Sequence, residues 1–163
     1  MSSKFEVGSW VVYPAHGVGK IERIEHINLD GSDFAFFVVT FAKNGLTLKL
    51  PVDKCENLGL RQLVDKKKLD EVMEVLSQKV KKSKSMWSKR SQDYEAKINS
   101  GDLLALAQVL RELYKIGGDA MQSFSERQIY HLAMDRLAKE MSLVENTSEE
   151  EAILKVETIL QAA

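Results

Sequence analysis

Cysteine occurs once in these 163 residues, at Cys55; proline occurs twice, at Pro14 and Pro51, and histidine three times, at His16, His26 and His131. A single thiol cannot form an internal disulfide, and one cysteine with scattered histidines has no zinc-ligand spacing, so neither a covalent staple nor a metal is expected. No apolar run approaches the roughly 20 residues that span a bilayer. The start, Met1-Ser2-Ser3-Lys4-Phe5-Glu6, has no apolar signal stretch. These absences lead us to expect a cytoplasmic protein with no membrane contact. Charge of one sign is not in excess either: 23 Lys and Arg face 24 Asp and Glu, a formal net charge of −1. Any affinity for a polyanion must then be local.

What is present divides the chain in two. Up to residue 61 lie both prolines, six of the nine glycines and most β-branched and aromatic residues; from residue 62 the good helix formers Leu, Ala, Lys, Glu, Met and Gln take over. The first part reads as strands over Val7 to Tyr13, Val18 to Leu29, Phe34 to Phe41 and Leu46 to Leu50, with hairpin turns at Asp30-Gly31 and Asn44-Gly45. Val18, Ile21, Ile24 and Ile27 break strict alternation, which predicts a bulge or sharp bend. The second part reads as five helices. Asp65 caps a first, with a stripe of Leu69, Val72, Met73, Leu76 and Val80; Ser85 or a neighbour opens a second, carrying Trp87, Tyr94 and Ile98. Ser100-Gly101-Asp102 starts a third that Gly117-Gly118 ends. Capping boxes at Ser125 with Gln128, and at Ser148 with Glu151, open the last two. The expected fold is α+β: a small antiparallel β domain over 1–61, then an all-α helical bundle over 62–163.

One segment stands apart chemically. Between Lys79 and Arg90, six cations (Lys79, Lys81, Lys82, Lys84, Lys89, Arg90) surround Trp87 with no Asp or Glu among them. Unpaired positive charge around a large ring suits nucleic acid, although charge runs often just solvate a helix face. Three and four residues after Trp87 come Arg90 and Ser91, so the ring does not continue a dense apolar stripe; this favours exposure, while a largely buried core tryptophan is the competing reading. Other candidates are weaker. Cys55 with His16 matches no nucleophile motif and reads as packing, and His131 beside an apolar stripe reads as a hydrogen-bonded structural histidine. His16-Gly17-Val18-Gly19-Lys20 lacks the Walker pattern, and its glycines read as turn and bend residues.

The opening Phe5-Glu6-Val7-Gly8-Ser9-Trp10-Val11-Val12-Tyr13-Pro14-Ala15-His16-Gly17-Val18-Gly19 resembles the start of the CarD family of bacterial transcription regulators. Leu50-Pro51-Val52 and Gly59-Leu60-Arg61 resemble the end of that family's first domain. Trp87 with Lys89-Arg90, Ser100-Gly101-Asp102, Val109-Leu110-Arg111-Glu112-Leu113 and Ser125-Glu126-Arg127 resemble its helical domain. The resemblance implies an accessory transcription factor with no enzymatic activity and no cofactor, acting as a monomer at the nucleoid. Its Tudor-like domain (1–61) would dock on the RNA polymerase β subunit, with Lys49 facing polymerase. Its helical domain (62–163) would touch promoter DNA in the minor groove without reading sequence. There Trp87 would act as a wedge at the upstream edge of the melted bubble, and Lys82, Lys84, Lys89 and Arg90 would hold phosphates. Ile27 departs from relatives that carry arginine in the first hairpin. The other class of reading is a stand-alone binder of RNA or nucleoid DNA that does not act through polymerase.

Overall fold

The computed structural model describes residues 5–41, 45–79, 86–117 and 124–162. The chain forms two compact units, Met1–Leu63 and Val64–Ala163. Among the described residues no helix is long and apolar enough to cross a membrane.

The first unit is a five-stranded antiparallel sheet: β1 (Trp10–Tyr13), β2 (Gly17–Leu29), β3 (Ser32–Phe41), β4 (Leu46–Pro51) and β5 (Arg61–Gln62), in the spatial order β4-β3-β2-β1-β5. Asp30 and Gly31 both take positive φ, 50° and 82°, so Leu29 pairs directly with Ser32 in a tight two-residue hairpin. The bulge falls between Ile21 and Arg23, where Glu22 is the extra residue. Pro51 closes β4, an edge strand, where its missing N–H costs no ladder bond. The first strand starts later than expected. Val7 and Gly8 form a turn, and Gly8, at φ 89°, donates its N–H to the Ile21 carbonyl at 2.7 Å. Asn44 lies outside the described residues.

The sheet's core gathers Phe5, Val11, Ile21, Phe37, Val39, Phe41 and Leu50, closed by Cys55 and Leu60 from the turns that follow β4. The Cys55 thiol donates to the Val52 carbonyl at 3.1 Å, as packing filler would. The two glycines after His16 do different jobs. Gly17 has φ 79° and turns the chain, whereas Gly19 has no such requirement. A methyl group at Gly19 would stand 2.7 Å from the Phe41 ring and 2.9 Å from Val39, so Gly19 is the hollow that lets these core side chains seat, not a bend.

The second unit holds α1 (Lys66–Ser77), α2 (Trp87–Ile98), α3 (Leu103–Gly117), α4 (Phe124–Glu145) and α5 (Glu149–Ala162). Its core interleaves Leu69, Val72 and Leu76 of α1 with Tyr94 and Ile98 of α2, Leu106 and Leu110 of α3, Leu137 and Met141 of α4, and Val156 and Leu160 of α5. Asp65 caps α1 by accepting the Lys68 N–H at 2.9 Å, and Ser148 caps α5 by accepting from Glu151 at 3.1 Å. Asp102 caps α3 through the Leu104 N–H at 3.0 Å, just after Gly101 at φ 78°. Ser125 is not a cap, because α4 is already helical at Phe124. Met86 occupies the cap position of α2 without a side-chain bond; Val80, Ser85 and Gly118 lie outside the described residues. His131, expected as a hydrogen-bonded structural histidine, is exposed on α4, its ring centre 5.8 Å from that of Tyr130. Deep inside, Glu140 is 1% exposed and accepts the Val64 N–H at 2.9 Å, fixing where the helical unit begins.

The Gly19 hollow sets a test. Gly19→Ala forces Phe41 and Val39 apart, and overpacking of this kind costs about 1–3 kcal/mol. Its thermal melting should fall by several degrees, while Gly31→Ser, which meets open space but also sits at positive φ, loses stability through backbone strain alone. An unchanged melting temperature for Gly19→Ala would contradict this packing.

Candidate nucleic-acid and protein interfaces

In the helical unit the basic segment meets α2 at its N-terminus. The first turn, Trp87-Ser88-Lys89-Arg90, carries no acid, so its cations sit at the positive end of the helix dipole and raise the local potential together. Lys89 and Arg90 go different ways. Consecutive helical residues point about 100° apart, whereas residues four apart share a face. Lys89 is exposed. Arg90 is half-buried, folded towards Tyr94 with its guanidinium carbon 5.9 Å from the ring centre. Burial pushes the Tyr94 phenol above its ordinary pKa, a shift that Arg90 opposes and the Glu112 carboxylate on α3 reinforces. Arg90 thus lies over Tyr94 of its own helix as well as adding charge. Lys79 is exposed beyond the end of α1. Lys82 and Lys84 lie outside the described residues, as do Lys81 and the side chain of Trp87. The opposite end of α2 is held by Arg136 of α4, whose Nη1 donates to the Ile98 carbonyl at 3.0 Å. Desolvation lowers the Arg136 pKa.

In the sheet unit, register places cations on one face. Arg23 pairs with Val38, which pairs with Lys49; Lys20 pairs with Trp10 and Thr40; Arg61 pairs with Val12. Two-residue periodicity puts these rows on the same side of the sheet. Lys20 also lies 5.8 Å from the Trp10 ring centre. Lys49 is exposed, as its alternating strand requires, but it is engaged: its Nζ stands 2.9 Å from one oxygen of Glu25, and Arg23 holds the other, also at 2.9 Å. These contacts, from Lys49 first and then Arg23, keep the Glu25 carboxyl below its usual pKa.

The hairpin beyond this face is apolar. Ile27 pairs with Phe34, and both are exposed, with Leu29 beside them at 59% exposure. Sequence reasoning missed this patch together with Arg23 and Glu25. The Asp30-Gly31 turn contains the signal, since a two-residue loop sets Leu29 opposite Ser32 and Ile27 opposite Phe34 by counting. Among the described residues no cluster of His, Cys, Asp and Glu could hold a metal ion.

Residues 5–64 match the domain described as CarD-like/TRCF RID domain, and residues 71–157 match CarD, C-terminal domain. The chain belongs to the CarD family. The two matches fall on the sheet and on the helices in turn, as the α+β architecture requires. The chain is also similar to "Putative transcription factor YdeB" of Bacillus subtilis (strain 168), with 24% identity over 147 residues covering 90% of this chain and 96% of that protein.

The Glu25 clamp can be followed directly. Carbon-detected NMR titration should place the Glu25 midpoint below that of an ordinary glutamate, and Lys49→Met should move it upward. Because the folded-state pKa is the depressed one, the stabilisation is present above the ordinary midpoint and is lost as pH falls through the folded value. A midpoint that Lys49→Met leaves in place would mean the ion pair does not form in solution.

Proposed function

We propose that this CarD-family chain is a transcription regulator without enzymatic activity. It docks by its sheet unit on the β subunit of RNA polymerase and stabilises the open promoter complex by non-sequence-specific DNA contacts from its helical unit. The observation that carries this reading is the unopposed run of cations from Lys79 to Arg90 around Trp87, opening α2, in a chain whose net charge is only −1. Such a segment holds phosphates through flexible, salt-sensitive contacts and does not read bases. Free-DNA affinity is then weak, and docking on polymerase supplies the high local concentration that the charge does not.

Each unit has its task. On the sheet, the face bearing Lys49 and Arg23, with the apolar Ile27–Phe34 pair next to it, meets polymerase; Ile27 makes that contact by burial, where an arginine would make it by charge. From the second unit, Lys82, Lys84 and Lys89 engage minor-groove phosphates, and Arg90, over Tyr94 of its own helix, adds positive potential. Trp87 wedges at the upstream edge of the bubble, where stacking is already broken and insertion costs less. Stabilising the open complex by roughly 1–3 kcal/mol shifts its equilibrium about 5- to 150-fold. No nucleotide, metal or covalent step is needed. The chain acts as a monomer, in the cytoplasm and at the nucleoid through polymerase.

Two variants test this. Trp87→Ala should keep its melting temperature and its polymerase affinity while shortening open-complex lifetime at least fivefold. Lys49→Met should weaken polymerase binding several-fold with the fold intact; it is preferred to Lys49→Glu, which would set a second carboxylate against Glu25. A stable Trp87→Ala with normal lifetimes, or one that loses stability and every activity together, would rule out the wedge. Tight, specific binding to nucleic acid alone would favour the stand-alone reading.

A further inference from the structure

The chain passes from the sheet to the helices in very few residues. Gln62, the last residue of β5, pairs with Val11, and Asp65 already caps α1, so only Leu63 and Val64 stand between them. Val64 is held twice. Its side chain packs against the helical core, and its N–H donates to Glu140 Oε2 of α4 at 2.9 Å, from 76 residues away in sequence. A residue's N–H lies in the same rigid plane as the carbonyl before it, so this bond fixes the whole Leu63–Val64 peptide against α4. The soft torsions left in the connection are then those of Leu63 and the ψ of Gln62. Glu140 is a costly residue for its place. It is 1% exposed, among the buried apolar Leu137, Ala138 and Met141 of the same helix. A buried carboxylate is unfavourable unless hydrogen-bonded, and an apolar side chain would fill a core position without that cost. What Glu140 adds is an acceptor for a backbone N–H that lies after β5 and before α1, outside both hydrogen-bond patterns.

We infer that Glu140 is a positioning residue for the open promoter complex: by clamping the Leu63–Val64 peptide to α4 it reduces the articulation between the two units to Leu63, so that docking by the sheet unit limits the space in which the basic segment searches for DNA. Glu140 itself touches neither polymerase nor DNA. A short, restrained tether raises the effective concentration of the second contact once the first is made, and a looser one dilutes it. The inference deepens the function proposed above and rests on it for its effect on promoter complexes, but the clamp has readouts of its own in the free protein.

The experiment uses the full-length chain in three variants. Glu140→Met keeps the bulk and removes the acceptor; Glu140→Gln keeps one oxygen for the Val64 N–H; Gly-Ser-Gly inserted between Leu63 and Val64 lengthens the articulation and leaves α4 untouched. Amide exchange and residual dipolar couplings are read on the free protein, and open-complex lifetime with polymerase and promoter DNA. Glu140→Met should raise exchange at Val64 at least tenfold with α3 and α5 unaffected, and Glu140→Gln should recover part of that protection. In the parent, dipolar couplings of the two units should report similar degrees of alignment; Glu140→Met and the insertion should make them diverge. Both should shorten open-complex lifetime at least threefold at unchanged polymerase affinity, and together no further than the insertion alone, since they act on one articulation. Unchanged exchange at Val64 in Glu140→Met would overturn the clamp, as would exchange rising equally through α3 and α5, the mark of general destabilisation. Should Glu140→Met fail to fold, the insertion decides: alignment and lifetime equal to the parent's would overturn the proposal. If Trp87→Ala itself leaves lifetime unchanged, it is the functional reading that fails, and exchange with dipolar couplings still decides whether Glu140 restrains the connection.

Discussion

The burial of α3 among its neighbours is the constraint on which the helical unit rests. Leu103, Leu106, Ala107, Val109, Leu110 and Leu113 are all at most 3% exposed and form one broad apolar face, while Leu104, Ala105, Gln108, Arg111, Glu112 and Tyr114 on the rest of the helix are half-buried. α1, α2 and α4 each pack on α3, so the two helices that flank the basic segment are located with respect to it. Burying such a surface contributes about 25 cal/mol per Å² of apolar area, non-directionally. Direction comes from the polar ties at its edges, where Arg111 and Arg136 give hydrogen bonds to the last carbonyls of α1 and α2. These helix-end arginines oppose helix dipoles and satisfy carbonyls that the helices cannot satisfy themselves.

In the sheet unit one extra residue has a comparable role. Glu22 in the β2 bulge lets Ile21 face the core and Arg23 face the side opposite, in the row of Val38 and Lys49. Without it, the alternation from Val18 to Ile27 would send alternate members of the later half to the wrong face. The bulge thereby assembles the Arg23–Glu25–Lys49 cluster from two non-adjacent strands and leaves Ile27 paired with Phe34 on the hairpin. Exposed ion pairs contribute little to folding. This cluster matters more as a set of charges held in place.

Local chemistry made most of the fold legible. The Asp30-Gly31 turn, the broken alternation of β2, Asp65, the Ser100-Gly101-Asp102 break and Ser148 each act within a few residues, and each appears where the pattern places it. What was misread depends on distant partners. Gly19 reads as a bend in the sequence because its need, room for Phe41, comes from a strand 22 residues away. Ser125 carries a capping signature, yet the helix already includes Phe124. The two-residue β5 has no pattern of its own and exists through its pairing with Val11 and Val12. At the site, the charge of the Lys79–Arg90 segment was plain from sequence, whereas the contrast between Lys89 and Arg90 was not, since it turns on which helix face meets α3.

On the proposed account, a weak phosphate-binding segment becomes effective because one unit delivers the other to a single place on promoter DNA. The most direct measurement is photo-crosslinking from a benzophenone amino acid placed at Lys89, read to single-nucleotide resolution on promoter DNA with and without polymerase. The account predicts crosslinks confined to a few nucleotides at the upstream edge of the bubble, dependent on polymerase and indifferent to the local base sequence. Crosslinks spread along the duplex, or equally strong on DNA alone, would contradict it.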